Sequence, residues 1–228
     1  MPEAAHSASR MHAPDRRRQL LDAALELFSR KGFGGTTTKE IAAAAGVTEA
    51  IIFRHFPSKQ ALYTAVLDSK TEACGHQEWL AEIQACMDRK DDAGVMRTLA
   101  AKILESYRTD ACIERILLFA ALEGHELGLA YHRKFALPVF ELLRDYIVRR
   151  QREGALRDYD AGVVIAAIAG MAQNYAIYTE LFGFKPMRLD DEEVIEIFTN
   201  IMMSGIRQKK AHKAKNKPKN EAKARNRK

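Results

Sequence analysis

The side chains most able to support catalysis or metal binding are few in this 228-residue chain, and their spacing suits neither task. Cys74 and His76 lie two positions apart, which directs them to different sides of a helix. His125 and His132 have glutamates nearby and leave a metal site open as an alternative, but their spacing matches no tight ligand pattern. No motif for a nucleotide, a zinc protease or a redox dithiol occurs. The sequence therefore predicts no enzyme, metal or cofactor site.

The cysteine count and the apolar runs indicate the cellular compartment of the protein. Three cysteines, at Cys74, Cys86 and Cys112, are an odd number for a disulfide framework, and a chain of this size needs none. Each thiol is expected to act as a small hydrophobe, with oxidant sensing as the alternative. Residues 1–14 lack a secretory signal, and the longest near-apolar run, residues 161–172, is shorter than the ~20 residues that span a bilayer. We expect a soluble cytoplasmic protein with no membrane partner.

The net charge of +6 is distributed unevenly along the chain. Residues 207–228 hold eleven Lys and Arg against one Glu, whereas residues 10–60 carry +4 and residues 61–206 carry −7. The basic segment has no apolar face, so it cannot bury enough surface to offset the entropy of ordering. We predict a disordered tail that is either a solubilising extension or an arm that binds DNA by displacing counterions.

A second group of hydroxyl, carboxylate and basic side chains is spaced to lie at helix ends. Thr37 and Glu40, three residues apart, form a capping box that opens a short helix, and Gly46 ends it. Thr48 then offers a hydroxyl cap for a second helix of about two turns. Two short helices joined by a three-residue turn have the geometry of a helix-turn-helix, whose second helix can lie in the DNA major groove.

The remainder of the chain also has helical periodicity, and no segment shows the alternation of a strand. The sequence predicts an all-α protein of about nine helices, with a three-helix head that contains the helix-turn-helix and a larger helical body. One predicted helix runs from Ser58 to about Met87. Pro138 lies inside another and removes a backbone hydrogen bond, so that helix is expected to be kinked near Lys134.

The residues around the turn closely resemble one family. The similar segments are TTKEIA (37–42), AAGVT (44–48), IFRHF (52–56) and SKQAL (58–62). They resemble the DNA-binding domain of the TetR (tetracycline repressor) family of transcriptional regulators over about residues 16–62. The resemblance implies an all-helical dimer with a DNA-binding head and a ligand-sensing body. The expected domains are a disordered arm (1–14), the helix-turn-helix domain (15–62), a ligand-binding and dimerisation domain (63–207) and the basic tail (208–228).

The resemblance assigns phosphate contacts to Thr37 and Thr48 at helix N-termini, where free N–H groups and the dipole favour anions. His55 and Lys59 are expected to add further phosphate contacts. Position 53 departs from the family pattern, because the tyrosine that usually stands there reaches a phosphate with its hydroxyl. Phe53 is instead expected to pack against a sugar or neighbouring side chains.

Base reading is assigned by the same resemblance to Glu49, Ala50 and Ile51 at the start of the second helix, and to Arg54 one turn later. A carboxylate can accept from the cytosine amino group, apolar groups meet the thymine methyl, and arginine pairs with guanine. The alternative for Glu49 is a first-turn acid that interacts favourably with the helix dipole.

The resemblance also implies a small-molecule pocket and a dimer interface in the body. Candidate pocket residues are Trp79, Phe119, Tyr131, Asn174, Tyr175 and Tyr178, and the alternative is that these aromatics belong to the core. The last two long helices, predicted over residues 160–182 and 190–208, are the family's dimer elements, and their apolar stripe either meets a partner or packs within its own domain.

Together these features predict a ligand-responsive DNA-binding regulator, a repressor that binds a near-palindromic operator on double-stranded DNA as a homodimer. A largely apolar small molecule bound in the body is expected to release it. The alternative function is an architectural or general DNA-binding protein that acts mainly through the basic tail.

Overall fold

The computed structural model describes residues 13–73, 76–185 and 187–208 of the chain. In this part of the chain the structure is α-helical without a β-strand, and Leu156 and Arg207 form an isolated bridge. The helices are α1 (Ala13–Lys31), α2 (Thr38–Ala44), α3 (Glu49–His55), α4 (Lys59–Ala73), α5 (His76–Asp88), α6 (Asp92–Asp110), α7 (Cys112–Leu122), α8 (Glu126–Tyr131), α9 (Leu137–Arg152), α10 (Ala161–Ala176) and α11 (Asp191–Ile206). The predicted all-α class is confirmed, while residues 1–12 and 209–228, with most of the predicted arm and tail, lie outside the described residues.

The head is formed by α1, α2 and α3, and its turns depend on two glycines. Gly32 ends α1 with φ +71°, and its N–H donates to the Phe28 carbonyl at 3.0 Å. Gly46 has φ +63° in the turn between α2 and α3, where the Val47 N–H donates to the Ala42 carbonyl at 2.9 Å. Both glycines adopt the left-handed backbone conformation, which is unfavourable for residues that carry a Cβ. The helix-turn-helix therefore has its turn at the predicted residues.

Two clusters of buried apolar side chains support the head and the body. The head cluster includes Leu20 and Phe28 of α1 and Ile52 of α3, but it also takes in Tyr63 of α4 and Ile116 of α7. The domain boundary predicted between residues 62 and 63 falls inside this cluster. The head is therefore packed directly onto the body.

The body is arranged around α6, which packs against α5, α10 and α11. A largely buried ion pair fastens α9 to the first turn of α6. Arg150 donates from Nε to Asp92 Oδ1 at 2.7 Å and from Nη2 to Asp92 Oδ2 at 3.0 Å. The Tyr146 hydroxyl donates to the same carboxylate at 2.6 Å. The side chains of Arg150 and Asp92 are 12% and 11% exposed, so each charge is stabilised mainly by the other and little by water.

Two helices contain a π-helical turn. α8 continues through His132–Ala136 into α9, and α10 ends in the turn Ile177–Leu181. The first of these turns contains Lys134 and is followed by Pro138, so the helix is irregular where the kink was predicted, and the kink itself stays a prediction. The described residues form ten continuous helices against about nine predicted. The helix predicted from Ser58 to Met87 is described as α4 and α5, and residues 74 and 75 between them lie outside the described residues.

The helix Ala161–Leu181 is long and apolar enough to cross a membrane by length and composition alone. Its mean hydropathy is 1.3, and 33% of the most apolar window is buried within the chain. Its buried side packs against α6, α9 and α11. The core helix of a soluble protein can have the same properties, so this helix is weak support for membrane insertion.

Candidate nucleic-acid interface and ligand cleft

The predicted capping box fixes the start of α2. The Thr37 hydroxyl accepts the Glu40 N–H at 3.2 Å, and the Thr37 N–H donates to the Glu40 carboxylate at 2.8 Å. The Thr37 hydroxyl also donates to that carboxylate at 2.9 Å, while the Lys31 ammonium lies 2.8 Å from its other oxygen. These hydrogen bonds, the one from Lys31 foremost, lower the pKa of Glu40 from 4.5 to about 2.

The helix α3 has one outward and one inward face. Glu49, Ala50, Phe53 and Arg54 are exposed, and their spacing of one, four and five residues places them on a single side. Ile52 faces the opposite way and is fully buried in the head cluster. Three of the four predicted base-reading residues therefore share the outward face with Phe53.

The threonines at the starts of α2 and α3 are engaged differently. The Thr37 hydroxyl is held in the capping box, whereas Thr48 is exposed and makes no side-chain hydrogen bond to the start of α3. Thr38 donates its hydroxyl to the Glu49 carboxylate, which links the first turns of the two helices. Glu49 thus has an intramolecular partner, in agreement with a structural role at this turn, although its side chain remains exposed.

Three other predicted residues lie apart from the outward face. Ile51 is half-buried and packs against the head cluster, and His55 is also half-buried. The Lys59 ammonium lies 4.2 Å from the ring centroid of Phe33, a cation–π contact near the body. Burial lowers the pKa of Lys59, and the charges of Glu123 and Glu40 oppose this shift. The predicted DNA-binding residues are therefore only partly brought together.

Sequence reasoning missed Arg17, which extends the basic surface next to α3. Its guanidinium carbon lies 5.1 Å from the ring centroid of Phe56, directly after α3, and the side chain is exposed. Gln19, half a turn further along α1, donates to the Ala45 carbonyl at 3.0 Å and holds α1 against the end of α2. The run of three arginines at residues 16–18 was the signal that could have identified this position.

The head contacts the body through the C-terminal end of α7. The Glu123 carboxylate accepts the Gly34 N–H, with both oxygens at 3.3 Å. The ring of His125 lies 4.4 Å from that of Phe33, and the Tyr63 hydroxyl donates to the Ile116 carbonyl at 3.4 Å. Burial, followed by the charge of Glu123, raises the pKa of Tyr63 to about 12. The end of α7 is therefore in direct contact with the loop between α1 and α2.

A cleft of about 460 Å³ lies between the end of α10, the loop before α11, and α11 itself. The predicted residues Asn174, Tyr175 and Tyr178 line it, together with Phe184, Met187 and Phe198. The Tyr175 and Phe198 rings meet edge to face at 6.1 Å. Gly170, Met171 and Thr179 complete the lining. All nine lining side chains are uncharged at neutral pH, and aromatic rings predominate.

The other three predicted ligand residues are elsewhere. Trp79 is buried in the body cluster, and its indole N–H donates to the Thr98 carbonyl at 3.3 Å. A Cβ built on Gly32 would lie 3.1 Å from the Phe119 ring, so that ring is at the boundary between head and body. Tyr131 packs against the head cluster, with its ring 4.9 Å from that of Phe135. These aromatics contribute to packing in the way that the sequence left open.

Among the described residues no three His, Cys, Asp or Glu side chains lie close enough together to hold a metal ion. His125 packs on Phe33 as described above, and His132 Nδ1 forms a hydrogen bond with the Gly128 carbonyl at 2.8 Å. Cys86 is a buried free thiol and Cys112 a half-buried one, whereas Cys74 lies outside the described residues.

Comparison with known proteins finds similarity to one family of bacterial regulators. The family model described as bacterial regulatory proteins, tetR family, matches residues 20–66, which contain α2, α3 and the start of α4. The HTH-type transcriptional regulator TtgR of Pseudomonas putida is 32% identical over 154 residues, which are 68% of this chain and 65% of TtgR. The aligned segment thus spans about two thirds of that relative.

Two further similarities are to a second curated protein and to a solved structure. The nucleoid occlusion factor SlmA of Marinobacter nauticus is 30% identical over 145 residues, 63% of this chain and 70% of SlmA. The crystal structure of AibR in complex with isovaleryl coenzyme A and operator DNA has a TM-score of 0.60 at 24% identity, with 82% of this chain and 97% of that chain covered. The structural similarity extends across head and body.

Proposed function

The chain belongs to the tetR family of bacterial regulatory proteins, and from that premise we propose that it is a ligand-responsive transcriptional repressor that binds a near-palindromic operator as a homodimer. Regulators of this family bind DNA, act as dimers and respond to small molecules. The observation that carries the proposal is the outward face of α3, which presents Ala50, Phe53 and Arg54 on a helix whose first turn is linked by Thr38 and Glu49 to the capped helix α2.

On this proposal α3 lies in the major groove with Arg54 facing guanine and Ala50 facing a thymine methyl group, while Phe53 packs against a sugar of the backbone. The Thr48 hydroxyl is uncommitted at the start of α3 and contacts a phosphate. Arg17, next to the end of α3, provides a further phosphate contact that the resemblance alone did not assign. Phosphate contacts fix the register of the head, and the outward face of α3 supplies the specificity.

The dimer is proposed to form through a surface that we name the α10–α11 face. It comprises Val163, Ala167, Gly170, Asn174 and Tyr178 of α10 with Ile197 and Ile201 of α11, all exposed. The α10 positions are spaced by three or four residues and form one stripe. Val163 is 65% and Ile201 57% exposed, which is costly for a lone chain in water. Two copies joined here would place their α3 helices on successive major grooves, roughly 34 Å apart.

Charges at the two ends of α11, beside this uncharged face, also favour a second copy. The first turn of α11 carries Asp191, Glu192 and Glu193, and the helix ends at the exposed Arg207, after which the sequence continues with Lys209 and Lys210. If the α11 helices of two copies run antiparallel, the acidic start of each lies near the basic end of the other. Such a self-complementary surface is what a two-fold interface requires.

The effector response is proposed to reach the head through α4 and α7. The first turn of α4 carries Lys59 over Phe33, and Tyr63 of the same helix contacts Ile116 of α7. Glu123 then joins the end of α7 to Gly34 of the head. A small molecule that shifts the body relative to its partner would alter the separation of the two α3 helices, so that they no longer match both half-sites.

The decisive experiment is capture of fragmented genomic DNA by the purified full chain over a series of salt concentrations. A sequence-specific regulator retains one or a few discrete sites at high salt, because base contacts supplement the salt-sensitive phosphate contacts. Uniform coverage at every salt concentration would reject the proposal.

The recovered site then allows a matched pair of variants. Arg54→Ala should weaken binding to that site by about tenfold to a hundredfold while binding to unrelated duplex changes little, in line with the ~1–3 kcal/mol of one good base contact. Arg30→Ala removes the same charge from the head at an exposed position paired with Glu26, away from α3, and should leave specific binding unchanged. Equal losses for the two variants would show that α3 does not read bases.

The second candidate function, general DNA binding through the tail, is favoured by the charge of residues 207–228 and by the similarity to a nucleoid occlusion factor. A chain that ends at Gln208 distinguishes general DNA binding through the tail from operator-specific binding through the head. If the tail engages phosphates, its removal lowers the slope of log affinity against log salt by about 0.9 for each lost contact. An unchanged slope assigns the tail to solubility, and loss of all binding assigns the function to the tail.

A further inference from the structure

The ligand cleft opens onto the α10–α11 face. Gly170, Asn174 and Tyr178 belong to both, and the apolar stripe continues from them along α10 to Val163. On the other side of the cleft, Phe198 of α11 is one position from the exposed Ile197. The cleft and the face are therefore one continuous surface.

The cleft is too open to hold a small molecule by itself. Tyr178, Phe184 and Met187 line it, yet they are 46%, 56% and 47% exposed. Sites for small molecules commonly bury 70–90% of the ligand, so one wall is missing here. Its volume of about 460 Å³ nevertheless lies within the range of roughly 300–1,000 Å³ found for such sites.

We propose that the effector site is composite, with the cleft of one protomer closed by the α10–α11 face of a second copy. This inference rests on the proposed function as a dimeric regulator, and it adds where the effector binds and to which chemical class it belongs. The same contact that covers Val163 and Ile201 covers the mouth of the cleft, because Tyr178 and Gly170 lie on the shared stripe.

The lining defines the chemical class of the effector. Among the described residues no charged side chain lines the cleft, so an ionised group would lose its hydration without a partner. Tyr175, Tyr178, Phe184 and Phe198 offer ring faces and edges, which suit a flat aromatic molecule. Asn174 provides an amide, and the hydroxyls of Tyr175 and Tyr178 can also donate or accept hydrogen bonds. The site therefore suits an uncharged aromatic compound that carries a few polar groups.

A composite site makes effector binding and dimerisation reciprocal. The factor by which the effector strengthens association of the two copies equals the factor by which association raises effector affinity. An effector wedged between the copies also changes their relative placement directly, and with it the separation of the two α3 helices. Monomers are expected to bind the effector weakly.

The test uses N-phenyl-1-naphthylamine, an uncharged aromatic amine that fluoresces in apolar surroundings, with the full chain. Its titration is paired with sedimentation velocity for three proteins: wild type, Ile201→Glu and Leu129→Glu. Ile201 lies on the α10–α11 face without lining the cleft, whereas Leu129 of α8 is 61% exposed elsewhere and is the matched control. We expect Ile201→Glu to sediment as a monomer and to lose probe affinity at least about tenfold, and Leu129→Glu to behave like wild type.

Further outcomes decide the inference. Phe184→Ala should stay dimeric and bind the probe about tenfold more weakly, because it removes a wall of the cleft and leaves the stripe intact. A monomeric Ile201→Glu that binds the probe as wild type does would overturn the composite site, as would a dimeric Ile201→Glu or a wild-type dimer that ignores the probe. None of these results removes specific DNA capture by wild type, so failure here is distinct from failure of the proposed function.

Discussion

The outward face of α3 and the α10–α11 face are the two exposed surfaces that we assign to partners, and they differ in chemistry and in construction. The first is polar, with Glu49 and Arg54 beside Ala50 and Phe53, and the second carries no charged residue. The outward face of α3 comes from six consecutive residues, whereas the α10–α11 face joins residues as far apart as Val163 and Ile201. A charged surface suits DNA, and an uncharged one suits another copy of the chain.

The two surfaces also rest on different kinds of support. The helices of the head are set by contacts between near neighbours, such as Thr37 with Glu40 and Thr38 with Glu49. α10 and α11 are set by packing against α6 and by distant ion pairs, such as Arg97 with Glu196. Changes in the body should therefore act mainly on stability, and changes in the head mainly on DNA affinity.

The largest expected effect is on the stability of the body. Asp92→Ala leaves Arg150 without its carboxylate in a largely buried place and removes the acceptor of the Tyr146 hydroxyl. Breaking such a pair costs about 3–5 kcal/mol of the free energy of unfolding, measurable by urea titration. Asp145→Ala, at a position 75% exposed, is the control and should change it by less than about 1 kcal/mol. Equal effects from the two substitutions would show that the ion pair of Asp92 and Arg150 does not stabilise the body.

The contrast explains which parts of the molecule were predictable from sequence. Capping boxes and glycine turns involve residues three or four positions apart, so the helix-turn-helix followed from the spacing, while Ala50 and Arg54 were named by the family resemblance. The cleft depends on α10, α11 and the loop between them meeting in space, which no local spacing encodes. For the same reason the contact of Lys59 with Phe33, 26 positions away in the chain, could not be predicted, and the phosphate contact of Lys59 stays a prediction.

A smaller stability effect is expected from the caps of the head. Thr37→Ala removes the side chain that accepts the Glu40 N–H, and loss of such a cap typically costs ~1 kcal/mol. Thr48 caps α3 only by its backbone, so Thr48→Ala should leave stability nearly unchanged while it weakens DNA binding. Urea unfolding and fluorescence anisotropy on the recovered site measure the two quantities. Similar losses of stability for both variants would mean that the two threonines are not distinguished in solution.

The next prediction concerns affinity alone. Phe53→Tyr places a hydroxyl on the outward face of α3, where the side chain is 48% exposed and has room for it. A new hydrogen bond to phosphate should tighten binding by about fivefold, or ~1 kcal/mol, to the operator and to unrelated duplex alike, because phosphates carry no sequence information. Anisotropy on both duplexes, with unfolding measured in parallel, checks this. A gain confined to the operator would assign position 53 to base reading instead.

The smallest expected effect is a pH dependence that arises in the head. The pKa of Glu40 is lowered from 4.5 to about 2 by Lys31 and Thr37, so the charged carboxylate stabilises the folded state. This contribution is fully present above pH 4.5 and is lost as the pH falls from 4.5 to 2. Glu40→Gln lacks the titrating group, so its stability deficit relative to wild type should shrink across that window in urea unfolding curves. Lys31→Met removes the partner that lowers the pKa of Glu40 most, so in the Lys31→Met background Glu40→Gln should cost less stability. A stability deficit of Glu40→Gln that stays constant from pH 5 to 2 would show that the Lys31 contact does not persist in solution.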